Sequence, residues 1–217
     1  ERLEQLRKEV NVPLRIFAGD LQKKHVYRQF YTELCQWHPN IRMLVNAAGF
    51  GKSGTFSEIA GKGKRIHTDM IDLNCTALIR ITQMTLPYMK MGSRIINMAS
   101  AAAFCPQPSF AVYAASKACV LSFSRALGQE LREKSIYVTA VCPGPVETEF
   151  FEVSGELKNP LKKLNMAAAN KVVHRALIDS RKKKSVSVYG AGIKAAEIMT
   201  KLLPVSLILK AEELFVS

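Results

Sequence analysis

The sequence runs to 217 residues, 48% hydrophobic and 23% charged, which fits a globular chain large enough to bury one substantial core. Its formal net charge of +13 is the unusual feature; it admits a polyanion partner, an anionic membrane surface, a phosphate-bearing cofactor or plain solubility. No apolar run approaches the roughly eighteen residues of a membrane span, and the opening ERLEQLRKEV reads as a charged helix, not a secretory signal.

Taken in chain order, residues 14–21 (LRIFAGDL) predict a strand and 22–36 a helix with Val26, Phe30 and Leu34 on one face. Residues 41–49 predict a second strand that runs into small residues. Helical periodicity then extends over 65–90 through Met70, Leu73, Ala77, Ile81, Met84 and Met89, interrupted near Pro87. A third strand falls at 93–100, a long helix at 113–134 and a fourth strand at 136–144. After an irregular stretch to about Asn165 come a helix near 167–180 and a strand at 185–189. Val- and Ile-rich strands alternating with helices predict βαβ units, an α/β fold whose parallel sheet is covered on both faces. No repeat, low-complexity tract or linker divides the chain, so 1–217 reads as one domain.

The cysteines Cys35, Cys75, Cys105, Cys119 and Cys142 form no C-x-x-C pair and read as reduced, mostly buried thiols of a cytoplasmic protein. The four histidines share no metal-ligand spacing, so no metal site is expected. The densest basic run, Arg181 to Lys184, reads as a solvated loop. No aromatic residues interleave with it, which argues against nucleic acid as a partner.

VSVYGAGIKAAE, from Val186, carries Gly190, Gly192 and Ala195 in the G-x-G-x-x-A spacing of a dinucleotide-binding turn, with Glu212 about twenty positions on. Only 25 residues follow Gly192, too few for the strand–helix–strand unit that motif opens. The stretch therefore reads as a turn leaving the last strand.

Ligands of such sheets gather at the carboxyl ends of the strands. There the sequence reads NAAGFG from Asn46, ASAAAF from Ala99 and PGPVET from Pro143, small residues that let a flat ligand approach the backbone. Tyr113 and Lys117 stand four apart and share a helix face, so hydroxyl and ammonium can enter one site. A neighbouring cation favours a phenolate and makes the tyrosine usable as a proton donor and acceptor. Ser100, at a strand end, can donate to an oxygen as charge develops on it.

These motifs together resemble the short-chain dehydrogenase/reductase family in its single-domain form, over nearly the whole chain. Asn46, Ala47, Ala48 and Gly49 look like the family's N-[NA]-A-G strand end beside the adenine ribose; Asn74, closing DLN, matches the catalytic asparagine. Ser100 has the family's spacing to Tyr113, and Tyr113 with Lys117 matches Y-x-x-x-K. PGPVET matches P-G-x-V-x-T, which gives Pro143, Gly144, Val146 and Thr148 cofactor contacts, Thr148 at the carboxamide. Asp20 resembles the acidic residue facing the adenine, with Leu21 beside it. The resemblance implies a Rossmann-type doubly wound parallel sheet in three α/β/α layers. It also implies hydride transfer between a nicotinamide cofactor and a carbonyl or secondary alcohol.

In that chemistry Tyr113 would donate the proton and Ser100 would polarise the carbonyl. Lys117 would lower the tyrosine pKa and hold the ribose, and Asn74 would hold a water leading to Lys117. NADP(H) is favoured over NAD(H), since basic residues suit a 2′-phosphate. One departure is large: the family's T-G-x-x-x-G-[IL]-G loop, with its first and second strands, has no counterpart here. The chain is therefore expected to lack an N-terminal βαβ unit.

Two other readings stand beside the enzyme. One is a non-catalytic nucleotide-binding scaffold or sensor, which would have no need for all four of Asn74, Ser100, Tyr113 and Lys117. The other is a membrane-surface or polyanion-binding protein, motivated by the charge and the amphipathic tail IMTKLLPVSLILK. That tail is expected to bury Leu202, Leu203, Leu207 and Leu209 against the body or a partner subunit. Residues 150–164, with Phe150, Phe151, Val153 and Leu157, are expected to cover the substrate. With Phe104 and Phe110 they suggest a lipophilic ketone such as a ketosteroid or a 3-oxoacyl compound. The helices at 65–90 and 113–134 resemble those that make family homodimers and homotetramers.

Overall fold

A computed structural model describes residues 2–63, 65–155 and 166–213. Its main sheet sets β1 (Ile41–Asn46), β2 (Met89–Met98), β3 (Tyr137–Val141) and β6 (Val186–Ser187) side by side in that order, all parallel. A separate two-stranded pair joins β4 (Val146–Glu147) to β5 (Ala167–Ala168). The helices are α1 (Arg2–Glu9), α2 (Lys24–Trp37), α3 (Phe56–Lys62), α4 (Ile66–Ile71) and α5 (Leu78–Thr85). Then follow α6 (Ala111–Glu130), α7 (Phe150–Ser154), α8 (Ala169–Arg181), α9 (Ala191–Leu202) and α10 (Val205–Glu213).

Alternation along the strands separates two apolar layers. Ala140 and Cys142 pack with Leu78, Val120 and Leu121, while Ile95 and Val138 pack with Leu127 and Leu131, so α5 and α6 cover one face. Ile96 and Val141 point the other way, to Val172 and Ala176 of α8. The three-layer α/β/α architecture follows from that alternation.

The steps β1→β2 and β2→β3 cross over the α5–α6 face. The step β3→β6 continues in the same direction but crosses by α8, on the other face. That last connection therefore has the opposite hand, although about 98% of such crossovers are right-handed. To change face the chain rounds the carboxyl edge of the sheet, and this detour carries β4 and α7 over the strand ends.

Three expectations need correction. Residues 14–21 form no strand. A strand exists through its ladder, and this segment has no partner: among the described residues β1 pairs only with β2, and Val45 on it is 50% exposed. The thiols are less buried than expected, with Cys75 and Cys142 buried, Cys35 and Cys105 half-buried and Cys119 exposed, and none of them in a disulfide. The tail is not buried against the body: Leu202 is 73% exposed, Leu203 and Leu207 are exposed as well, and Leu209 is half-buried.

The turn reading holds at Gly190, whose φ is +90°, but not at Gly192, which lies in the first turn of α9. Among the described residues no strand follows β6. The structure also contains α3, which the sequence reading passed over. Its capping box was legible as Thr55-Phe-Ser-Glu58, with Thr55 accepting from the Glu58 N–H and Glu58 from the Thr55 N–H.

Candidate active site

Ser100 follows β2 and caps a 3₁₀ turn, Ala101–Ala103, accepting from the Ala102 N–H at 3.1 Å. Tyr113 lies in the first turn of α6 with Lys117 one turn on. Asn74 comes from a π-helical segment, Asp72–Ala77, that joins α4 to α5. Such wide turns recur at functional sites because they turn a side chain off the regular helical face. Here the turned residue is Asn74, 1% exposed.

The Asn74 amide braces the end of β1. Its Nδ2 donates to the Phe50 carbonyl and to Ser116 Oγ, each at 2.9 Å, and its Oδ1 accepts from the Phe50 N–H at 2.9 Å. Ser116 Oγ in turn donates to the Tyr113 carbonyl at 2.7 Å. The π segment, the strand-end loop and the first turn of α6 thus form one hydrogen-bonded unit. Gly49 makes this possible: a Cβ there would stand 2.7 Å from Asn74 Oδ1 and 3.4 Å from Lys117 Nζ.

Lys117 is buried, and its Nζ donates to the Met98 carbonyl at 2.8 Å while lying 5.6 Å from the Tyr113 ring centroid. Burial lowers its pKa to about 8, against the smaller pull of the Cys75 and Cys142 thiols. Burial likewise pushes Tyr113 up to about 12, with a hydrogen bond to Ser100 pulling it back. The expected lowering of the tyrosine by Lys117 is thus not found: desolvation outweighs the partners present, and the ammonium is turned to Met98. Cys75 and Cys142 are also pushed to about 12, chiefly by burial.

An aromatic cover closes the site. Phe110 and Tyr113 have ring centroids 4.4 Å apart, and Tyr113 and Phe150 5.5 Å. Gly51 lies beneath them, since a Cβ there would meet Phe150, Phe110 and Tyr113 within 3 Å. Met70, Ala102 and Ala114 complete the packing, and Tyr113 is only 8% exposed. Phe104, expected in this cover, packs instead with Leu78 and Val120 in the core. Leu157 and the rest of 156–165 fall outside the described residues.

The cofactor candidates divide. Asn46 turns inward, its Nδ2 donating to Asn97 Oδ1 at 2.8 Å and Thr82 Oγ1 at 3.0 Å, so it ties β1 to β2 and α5. Ala47, Ala48 and Gly49 beyond it are exposed. The Pro143 carbonyl accepts from the Ala101 N–H at 2.8 Å, which brings the Pro143–Gly144 turn beside Ser100. Val146 starts β4; Thr148 is exposed and bonded only within its own turn. Asp20 caps a turn by accepting from the Gln22 N–H at 2.9 Å, and the Leu21 carbonyl accepts from the Tyr27 hydroxyl. Gln22 ties this loop to the Asp69 carbonyl of α4 at 2.9 Å. Gly51 and Ser116 were missed in the sequence, since neither stands in a motif of its own. Among the described residues there is no group of His, Cys, Asp and Glu fit for a metal, nor a helix long and apolar enough to cross a membrane.

The short chain dehydrogenase family profile matches residues 1–159. The chain is 31% identical over 173 residues to an uncharacterized oxidoreductase of Staphylococcus epidermidis, covering 78% of this chain and 74% of the relative. It is 36% identical over 155 residues to the sulfoacetaldehyde reductase of Chromohalobacter salexigens, which covers 69% of this chain and 60% of that one. Among solved structures, a short-chain dehydrogenase from Sphingobium yanoikuyae in complex with NADPH superposes with a TM-score of 0.74 at 26% identity. That match covers 92% of this chain and 78% of the other.

Proposed function

The chain belongs to the short-chain dehydrogenase family, and from that membership we propose that it transfers a hydride between NADP(H) and the carbonyl or secondary alcohol of a small apolar molecule. That it is an NAD(P)-dependent oxidoreductase comes with the family. The NADP(H) preference, the substrate class and the residue roles are our reading. So are the assignment of 1–217 to a single cofactor-binding domain, a cytoplasmic setting and a homodimer or homotetramer.

The observation that carries the reading is the convergence of Ser100, Tyr113, Lys117 and Asn74 from three elements onto one strand edge. The residues present fit a nicotinamide dinucleotide. Lys117 spends one of its three donors on Met98, which leaves others for ribose hydroxyls. The bare Gly49 wall keeps the space beside its ammonium open. Pro143, Gly144, Val146 and Thr148 would border the nicotinamide; Asp20, Leu21 and the backbone of 46–49 would border the adenosine. When bound, the nicotinamide supplies or accepts the hydride.

In the reducing direction the Tyr113 hydroxyl gives its proton to the carbonyl oxygen. Burial suits it to this, because a group near 12 is fully protonated at neutral pH. Ser100 donates to the same oxygen and then to the phenolate left behind. Lys117, near 8, is close enough to neutrality to return a proton. Asn74 acts by position, holding the loop and the α6 turn in register; both of its amide hydrogens are taken by Phe50 and Ser116, so a water it holds would sit on the second lone pair of Oδ1 or on its main chain.

The cover of Phe110, Phe150, Phe50 and Met70 supports an apolar ketone, with ketosteroids and 3-oxoacyl compounds as the first candidates. A panel of such ketones, followed by NADPH absorbance, tests this. Turnover of at least one apolar member is expected. Cofactor binding without turnover of any ketone or alcohol would instead favour a nucleotide-binding scaffold.

A further inference from the structure

At the far end of the sheet from Tyr113, the amino ends of β2 and β3 and the last turn of α8 line an open, solvent-facing cavity of about 410 Å³. Arg94, Ser135, Tyr137, Ser180, Arg181 and Lys183 line it, together with Met91 and Gly92. None of these is a carboxylate. The cavity is separate from the site above: Tyr113 opens α6 and Ser135 follows its end, and 20 helical residues span about 30 Å.

Two neighbouring cations already share one carboxylate. Arg175 Nε and Lys184 Nζ lie 2.7 and 3.0 Å from the buried Asp179 carboxylate. Arg94, Arg181 and Lys183 have no such partner among the described residues. Arg94 donates to Ser180 Oγ at 3.3 Å, and Lys183 lies 4.4 Å over the Tyr137 ring. Arg42 adds a guanidinium at the rim, donating to the Met91 carbonyl at 3.3 Å. The Tyr137 hydroxyl is held below its usual pKa range, first by Lys183 and then by Ser135, with Arg132 also contributing.

The carboxyl ends of α6 and α8 point here, and a cation at each such end is ordinary. Two partial charges of about −0.5 do not balance three guanidinium and ammonium groups in one cavity. Cations interleaved with three hydroxyls form a donor set suited to a tetrahedral oxyanion, since phosphate accepts charge-assisted bonds from arginine and lysine and ordinary ones from serine and tyrosine. The volume lies within the range of small-molecule sites, about 300–1,000 Å³. We propose that this cavity, built by Arg94, Arg181 and Lys183 with Ser135, Tyr137 and Ser180, binds a phosphate group carried by a small molecule or a lipid headgroup. It gives part of the surplus positive charge a specific use.

Pyrophosphate titrated into the full chain by calorimetry is the test. Binding that weakens as salt rises is expected, because the contacts are charged. The double variant Arg181→Gln/Lys183→Gln, both exposed positions, should bind about tenfold more weakly or worse. The charge-matched control Lys8→Gln/Lys24→Gln, on α1 and α2, should bind as the parent does. Adding Arg94→Gln should remove binding altogether. No binding by the parent, equal weakening in the control, or binding retained in the double variant would each overturn the proposal; the last would put the anion elsewhere, for instance at the cofactor site. Sedimentation with phosphatidylglycerol vesicles separates the two sources. Pelleting that the double variant loses and pyrophosphate competes assigns a lipid headgroup, while pyrophosphate binding without pelleting assigns a soluble phosphate.

Discussion

Tyr113 and Lys117 are buried together, and burial moves them in opposite directions, the phenol to about 12 and the ammonium to about 8. Each is thereby held in its neutral form over a wider pH range than in water. For Lys117 the folded pKa lies below the unfolded one, so the folded state binds fewer protons between about 8 and 10.5, the ordinary value of a lysine. Stability from this group must therefore rise with pH across that window. The parent should gain stability relative to Lys117→Met between pH 8 and 10.5 in urea unfolding; parallel curves would show that the ammonium is not strained by burial. The proposed roles give a second prediction. Tyr113→Phe keeps the ring that packs on Phe110 and Phe150, so cofactor should bind nearly as before while turnover drops about 10²- to 10⁴-fold. Ser100→Ala should act mainly on turnover, and Lys117→Met on turnover and cofactor affinity together. Cofactor titration beside steady-state kinetics reads all three, and near-normal turnover in Tyr113→Phe would remove the proton donor from the mechanism. Gly49→Ala is the third. Its Cβ would meet Asn74 Oδ1 at 2.7 Å, inside contact distance. The variant should lose about 1–3 kcal/mol of stability and turnover with it, as the Phe50–Asn74–Ser116 bonds shift; unchanged melting and kinetics would mean the loop yields freely.

Among the elements, the π segment and α7 shape the site most. The π segment turns Asn74 inward. The detour that changes face after β3 lays α7 on Tyr113, with the Phe150 ring 5.5 Å from the Tyr113 ring. The tail elements α9 and α10 behave otherwise. On α9 the inner positions are Ile193, Glu197 and Thr200, while Ala195, Ile198, Met199 and Leu202 face outward. An apolar stripe on the solvent side contributes nothing to the fold it leaves uncovered. On α10 Val205 and Leu207 are exposed too, so deletion beyond Pro204 should change the melting temperature of the isolated chain by no more than about 2 °C, the shift that roughly 0.5 kcal/mol produces at this size. A larger fall, seen in a dilution series to depend on protein concentration, would mean that a second copy covers α10.

At the scale of the whole molecule, the chain carries a net charge of +13, and with the proposed preference for a phosphorylated cofactor NADPH should be used with at least about tenfold higher kcat/KM than NADH. Equal efficiency with the two would overturn that preference. The βαβ alternation was legible in the sequence because apolar periodicity is a local property: a strand of Val and Ile or a helix with one apolar face announces itself residue by residue. Tyr113, Lys117 and Ser100 were legible because four residues along a helix or one strand end fix their neighbourhood without knowledge of the rest. Residues 14–21 carry the same local signal as β1, yet they form no strand, since a ladder needs a neighbour and no sequence window contains one. Leu202 and Leu207 look like core residues for the same reason and stand in solvent. The sign of the Tyr113 shift was misjudged because a cation four residues away is visible in sequence, whereas the desolvation that outweighs it draws on Phe150 and Met70 from separate elements. Sequence alone determined the fold class and the chemical groups at the strand edge, both set by short-range spacing. Only the tertiary structure decided which of those groups are buried, what Gly49 and Gly51 make room for, and where Arg94 meets Arg181 and Lys183, because each depends on segments brought together from far apart in the chain.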